Sequence, residues 1–335
     1  MAYHRKKFFS MITKVQKNIT IIIPSKVFDG NLKNCINKIR KFYKNIKIIL
    51  VLDEYSKIKF DKNIKILTSG NKTIGFKRNL GAKHVKTSLI CLIDSDAYPN
   101  SYWLNESLKI LNDKKIAATG GPNLSPKTND IEKILVARSR KYSVVTLNPK
   151  LKSHKTKKHY LKFLPSCNFI IKTSLYRKAK GMDQRFYSGE EISLNVNLDK
   201  LGYKMLFNPK ISVFHMDRNF KHFSRQRFIY GSTGLWYSIN YPCKESIMLL
   251  AGSFPLLFCL CFPVMFFNET LKLIYLSGII SLFLLITLNS LKINYKNNFF
   301  KSLKLSIISF LMPGVGLIAR IFLKDKTFKG IYTQK

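Results

Sequence analysis

The chain has 335 residues, enough for one large domain with an appendage, and carries 58 Lys+Arg against 18 Asp+Glu, a formal net charge of +40. That balance points to an anionic partner: nucleic acid, an acidic membrane surface or a phosphorylated substrate. Its six cysteines, at 35, 91, 167, 243, 259 and 261, form no Cys-x-x-Cys pair and sit mostly in apolar runs, which speaks against a disulfide framework or a zinc site and for buried thiols in a reducing compartment.

Residues 1–17 are basic but lack the uninterrupted apolar core of a secretory signal, so the bulk of the chain is expected to stay in the cytoplasm. Residues 19–23 are an apolar run ending at Pro24-Ser25, which reads as a buried strand. Leu32, Cys35, Ile36, Ile39 and Phe42 then recur at helical spacing, and residues 46–52 give a second strand that stops at Asp53-Glu54. Strand, helix, strand at this distance is a βαβ unit with a right-handed crossover and a parallel sheet. Residues 64–67 make a short strand. After the Ser69-Gly70-Asn71 turn, residues 74–82 read as a helix whose Lys77 and Arg78 are either surface cations or groups placed to meet phosphate.

The strand over residues 89–93 is apolar throughout and stops at Asp94-Ser95-Asp96. In an open α/β sheet ligands sit at the carboxyl ends of the strands. Two carboxylates there suit Mg2+ or Mn2+ with positions left for phosphate oxygens, although acids after a strand also make an ordinary solvated turn. A helix starting at Pro99-Asn100 and running to Leu111, a strand over residues 116–119 and a backbone-permissive turn at Gly120-Gly121-Pro122 are expected next.

Residues 125–162 are basic and only partly helical, and the cluster His154, Lys155, Lys157, Lys158 and His159 reads as part of a flexible loop or lid. Beyond the apolar residues 164–171, Ser188 stands three residues before Glu191, the spacing of a capping box at the start of a helix over residues 190–201. His215 closes the apolar stretch Val213-Phe214. Residues 218–245 interleave cations with aromatics, as suits a helix in a headgroup region. Residues 246–267 and 271–289 are apolar enough to form a membrane hairpin, and residues 305–323 form either a third crossing or, because of Pro313-Gly314-Val315-Gly316 and Arg320, a re-entrant or interfacial helix. The expected domains are therefore 18–217, 218–245 and 246–323, between a basic extension (1–17) and a basic tail (324–335).

Several pieces stand in one order: Pro24-Ser25, Asp53, Gly75-Phe76-Lys77-Arg78-Asn79-Leu80-Gly81, Asp94-Ser95-Asp96, Gly120-Gly121, Gly181-Met182-Asp183 with Phe186, Gly189-Glu190-Glu191, Gly202-Tyr203 and His215. Together they resemble the family 2 glycosyltransferases of the GT-A fold, over residues 19–231. The resemblance implies an α/β catalytic domain, Rossmann-like with a mostly parallel sheet flanked by helices, followed here by transmembrane helices. The run Arg225-Gln226-Arg227-Phe228-Ile229-Tyr230-Gly231 ahead of apolar spans is similar to membrane-attached members that build bacterial exopolysaccharide or other surface glycans.

Carried over by position, the resemblance implies that Pro24, Asp53, Arg78, Asp94 and Asp96 bind a nucleotide sugar, with Asp53 at the base. Mn2+ or Mg2+ is held chiefly by Asp96, with Asp94 and His215. Glu191 is the catalytic base, where the family usually has Asp, and Glu190 and Arg227 lie on the acceptor side. Glu54 stands where a second Asp is usual, which blurs the base preference, and the 225–231 run is not the full Gln-x-x-Arg-Trp of processive synthases. The implied reaction is an inverting transfer from a nucleotide sugar to a membrane-associated, lipid-linked glycan at a bacterial inner membrane, with the catalytic domain cytoplasmic. Two other classes compete: a basic nucleic-acid-binding protein, which the uncharged spans and the lack of a nucleic-acid-reading motif count against, and an inactive membrane scaffold with a transferase fold.

Overall fold

The computed structural model describes residues 17–55, 61–143, 157–185 and 188–323. Most of the basic extension, His154 and Lys155 of the expected lid, Phe186 and the basic tail lie outside the described residues. The chain divides into two compact units, Met1–Pro126 with Lys150–Met216, and Lys127–Pro149 with Asp217–Lys335. Residues 127–149, expected as part of a loop or lid of the catalytic domain, thus group with the second unit and contain the helix Ile131–Tyr142.

The first unit is built on an eight-stranded sheet in the order β3-β2-β1-β4-β9-β6-β10-β8. Its strands are β1 (Ile19–Pro24), β2 (Lys47–Leu52), β3 (Ile64–Thr68), β4 (Leu89–Ile93), β6 (Ile116–Gly120), β8 (His159–Leu161), β9 (Asn168–Lys172) and β10 (Lys204–Phe207). Alternate side chains of one strand enter different cores. Ile19, Ile21 and Ile23 join Leu32, Cys35 and Ile39 of the Gly30–Phe42 helix, whereas Ile22 joins Ala82, Leu92, Leu194 and Leu198 on the other side. Both faces are covered, which is why β1 and β4 are apolar at successive positions rather than alternating. Each fully buried Ile or Leu contributes about 1.5–3 kcal/mol of transfer free energy. The sheet is parallel from β3 through β4 and is then interrupted by β9, antiparallel to both β4 and β6.

A second sheet of three short strands, β5 (Ala97–Pro99), β11 (Val213–His215) and β7 (Asn123–Leu124), forms at the carboxyl end of β4. Here the structure departs from the expected helix start at Pro99. Residues 97–99 pair with residues 213–215, the Asn100 N–H donates to the Ser212 carbonyl (3.0 Å), and Asn100 Oδ1 accepts from the Tyr102 N–H (3.1 Å). The chain therefore turns before the helix Trp103–Leu111 can begin. Gly120 and Gly121 also serve differently from the expected turn. Neither has a positive φ, but a Cβ on Gly121 would lie 2.1 Å from the Ile211 carbonyl oxygen, so glycine is needed for close backbone approach.

In the second unit, three stretches are long and apolar enough to cross a membrane: Lys244–Phe266, Glu269–Ile293 and Phe299–Phe322. They match the spans expected at 246–267, 271–289 and 305–323. The first is broken into the helices Lys244–Ala251 and Phe254–Leu260 and a 3-10 turn Phe262–Phe266. The last runs without interruption through Pro313, which removes the break suggested by the Pro-Gly sequence. Gly231 and Gly316 explain how the helix Phe220–Asn240, expected to lie in a headgroup region, packs on that last helix. A Cβ at Gly231 would lie 1.7 Å from the Pro313 carbonyl oxygen, and one at Gly316 would lie 1.9 Å from that of Phe228.

Candidate active site

The carboxyl end of β4 delivers Asp94 and Asp96 to the surface, with side chains 29 % and 35 % exposed. The register of the small sheet sets His215 opposite Ala97, and the Met216 N–H donates to the Asp96 carbonyl (3.1 Å). His215 Nε2 consequently lies 3.3 Å from Asp96 Oδ1 and 3.5 Å from Asp94 Oδ2, while its buried Nδ1 has no hydrogen-bond partner among the described residues. Two partly exposed carboxylates and a buried imidazole are a donor set suited to a divalent cation. Asp94 and His215 also group with Cys167, at the entry to β9, with their candidate ligand atoms all within 4.8 Å of one another. Sequence reasoning missed Cys167, because a cysteine beside an apolar strand looks like any buried thiol.

The helix Ile74–Lys83 carries Arg78, which is only 1 % exposed. Its guanidinium donates to Asp94 Oδ1 (2.5 Å) and to Glu190 Oε1, joining the acid at the end of β4 to the start of the helix Glu190–Lys200. Burial pulls the Arg78 pKa down, but Asp94 and then Glu190 outweigh it and hold the guanidinium above the ordinary arginine value. Asn79, one residue on, fixes the approach of the two segments: its side chain donates to the Met182 carbonyl (2.8 Å) and accepts from the Met182 N–H (3.0 Å). Gly75 makes room for it, since a Cβ there would meet the Asp183 carbonyl oxygen at 2.2 Å. Lys77 and Arg78, read from sequence as groups for phosphate or solvent, are both committed to protein carboxylates. Lys77 Nζ pairs with Asp53 and donates to the Ser25 carbonyl (2.7 Å), just beyond Pro24 at the end of β1.

Glu191 occupies the first turn of its helix beside Glu190. Burial, and next the charge of Glu190, push its carboxyl up to about 8 against the pull of Arg78. The capping box expected from Ser188 does not form: the N-cap is Gly189, in the left-handed region at φ 80°, with no side-chain capping bond. Glycine takes that conformation without a Cβ penalty, so the helix starts one residue later than Ser188 requires. Glu190, expected on the acceptor side, turns its carboxylate to Arg78. Arg227 belongs to the second unit. Its guanidinium lies 4.7 Å from the Phe223 ring centroid and 5.7 Å from that of Tyr230, and its buried Nε has no hydrogen-bond partner among the described residues. Burial lowers its pKa, and Arg140 and Arg218 lower it further.

Residues 20–179 match the family model described as Glycosyl transferase family 2. That match spans a little under half of the chain, and the first unit has the GT-A fold. Among solved structures, it is similar over 96 % of both chains (TM-score 0.56, 10 % identity) to a mannosyltransferase of Pyrobaculum calidifontis, captured in complex with GDP-Man and Mn2+. It is also 20 % identical over 254 residues to the pre-mycofactocin glycosyltransferase of Mycobacterium tuberculosis. That match covers 70 % of this chain and 51 % of the relative, so the chain spans about half the length of the curated relative it matches.

Proposed function

We propose that the protein is a glycosyltransferase that moves a sugar from a nucleotide-sugar donor to a lipid-linked or membrane-associated glycan, with inversion, on the cytoplasmic face of a bacterial inner membrane. The observation that carries this reading is the Arg78 junction, which ties Asp94 on one segment to the Glu190-Glu191 pair on another. It sets carboxylates suited to holding a cation and diphosphate near a carboxylate whose proton affinity is raised. The names of the two similar proteins support the donor class, since one was captured with a nucleotide sugar and Mn2+.

In this reaction Asp94, Asp96 and His215 hold a divalent cation. When bound, the cation supplies positive charge against the departing nucleoside diphosphate. Pro24 and Asp53, at the ends of β1 and β2, line the nucleotide side. Glu191 accepts the proton of the acceptor hydroxyl as its oxygen attacks the anomeric carbon and the bond to the diphosphate breaks. A base and a leaving group on opposite faces of the sugar give inversion in one step. Glu190 and Arg78 are positioning residues, holding Glu191 and Asp94 in register. Arg227, a half-buried cation without a bonded carboxylate among the described residues, receives an anionic group of the acceptor. The three apolar stretches attach the chain to the membrane that carries the acceptor.

The test is a thermal-shift screen of the detergent-purified chain against nucleoside diphosphates with Mn2+, followed by hydrolysis of nucleotide sugars sharing the base that stabilises. A shift for one diphosphate and release of its sugar support the reading. No shift with any diphosphate, and no hydrolysis, overturn it and leave the inactive scaffold.

A further inference from the structure

We propose that Cys167 supplies a sulfur ligand to the cation held by Asp94, Asp96 and His215, so that this site takes Mn2+, Co2+ or Zn2+ in preference to Mg2+. The inference deepens the glycosyl-transfer reading and rests on its cation site. Its basis is geometric: the Asp94, Cys167 and His215 donor atoms lie within 4.8 Å of one another, a span that one ion can bridge. A lone cysteine near a site would mean little, but three further observations point the same way.

His215 is 5 % exposed, and its Nε2 faces both carboxylates, so the nitrogen arm of the site is already oriented. Cys167 Sγ is held from behind by the Asn123 amide, whose Nδ2 donates to it (2.8 Å), so the sulfur is presented as an electron-pair donor. The next residue, Asn168, is locked by bonds to Trp103 Nε1 (2.8 Å) and to the carbonyls of Gly121 (3.1 Å) and Ile211 (2.8 Å), which fixes the backbone that presents the thiol.

A second thiol near the carboxylates offers an internal contrast. Cys35 Sγ lies 3.8 Å from the Asp94 carbonyl oxygen, but it is fully buried on the core side, and burial followed by the charges of Asp96 and Asp94 pushes its pKa far up. It stays a thiol. Cys167 is only partly buried and lies on the ligand side. Binding is balanced by one proton: the Cys167 S–H bond breaks, the proton leaves to solvent, and the sulfur lone pair forms the bond to the cation. Thiolate ligands favour borderline and soft cations, whereas Mg2+ demands oxygen donors in near-ideal octahedral geometry.

The experiment uses the full chain in detergent, stripped of metal, with the exposed Cys261 replaced by Ser to lower background, and titrated with Co2+. The expected result is a thiolate-to-cobalt charge-transfer band in the near ultraviolet that is absent from both Cys167→Ser and Cys167→Ala. Co2+ affinity should fall in those variants by about 10- to 100-fold, with Mg2+ affinity unchanged. Circular dichroism of both variants separates loss of a ligand from loss of fold. If Asp96→Asn abolishes Co2+ binding while Cys167→Ser leaves the spectrum and the affinity intact, the sulfur ligand is overturned and the glycosyl-transfer reading stands. A band that vanishes in Cys167→Ser but survives in Asp96→Asn puts the sulfur on a metal that Asp96 does not hold and also overturns the proposal. Failure of the glycosyl-transfer reading itself shows elsewhere, as absence of any nucleoside diphosphate binding.

Discussion

Arg78 is buried and Arg227 half-buried, and the two are held in opposite ways. Arg78 sits between two carboxylates, Asp94 and Glu190, which raise its pKa above the ordinary value despite burial. Arg227 sits on aromatic rings with Arg140 and Arg218 as electrostatic neighbours, and its pKa is lowered. Among the described residues, the Asp217 carboxylate pairs with Arg140 (2.5 Å) and not with Arg227. A buried cation with its counter-charges in place is scaffold, because it has no need of anything from outside. A half-buried cation among other cations is held at a cost that a bound anion would offset. Under the proposed function, the difference separates a group that builds the site from one that would meet the acceptor.

The largest test of this contrast lies beside Arg78. Glu191→Gln keeps the shape of the side chain but removes the proton acceptor, and transfer should fall by about 10^2- to 10^4-fold in an assay at saturating donor, with the thermal midpoint nearly unchanged. Full activity in that variant would remove Glu191 from the mechanism. Arg78→Met strands the buried Glu190 and should cost about 3–5 kcal/mol in denaturant unfolding, part of which returns in the double variant with Glu190→Gln. Arg227→Met strands no carboxylate. It should unfold no more easily than the parent, yet raise KM for the acceptor on the order of 10- to 100-fold, as expected for losing a charge-assisted hydrogen bond of about 1.5–3 kcal/mol. An equal loss of stability at the two arginines would erase the distinction drawn here.

Smaller effects sharpen the picture. Gly231→Ala drives a methyl into the Pro313 carbonyl and should destabilise the helix pair by about 1–3 kcal/mol, seen as a lower midpoint in detergent. The pH dependence is smaller still. Glu191 has its pKa raised from 4.5 to about 8, so in that window the folded chain binds more protons than the unfolded one, and stability falls as pH rises. Glu191→Gln should flatten this slope between about pH 5 and 8, a comparison read from midpoints at fixed salt.

Much of the first unit was legible in the sequence because periodicity and strand ends are local signals. The apolar runs at β1, β2 and β4, each closed by a polar residue, placed the sheet and pointed to Asp53, Asp94 and Asp96. The apolar stretches of the second unit were equally plain, since length and hydropathy alone define them. What stayed hidden depends on long-range pairing. Nothing near Cys167 announces Asp94 or His215, and nothing near Pro99 announces that β11 will pair with it and delay the helix. The bond between Glu190 and Arg78 stayed hidden for the same reason, since the two lie on different segments. The Ser188 capping box failed for a local reason that is harder to weigh: two residues competed for one cap, and the glycine could adopt a left-handed φ at no penalty.

The pairing of β11 with β5 has a consequence for how the chain is made. Asp94 and Asp96 leave the ribosome long before His215, and only the register of those two short strands brings the histidine to them. A nascent chain halted before residue 213 therefore has the carboxylates but not the buried imidazole, and such sequence-distant contacts are the slow ones to form. A cation that prefers the finished constellation stabilises only chains that have reached it. In that sense the ion would act as an inspector of synthesis as well as a participant in chemistry, coming to rest only when the last strand of the fold has been laid down.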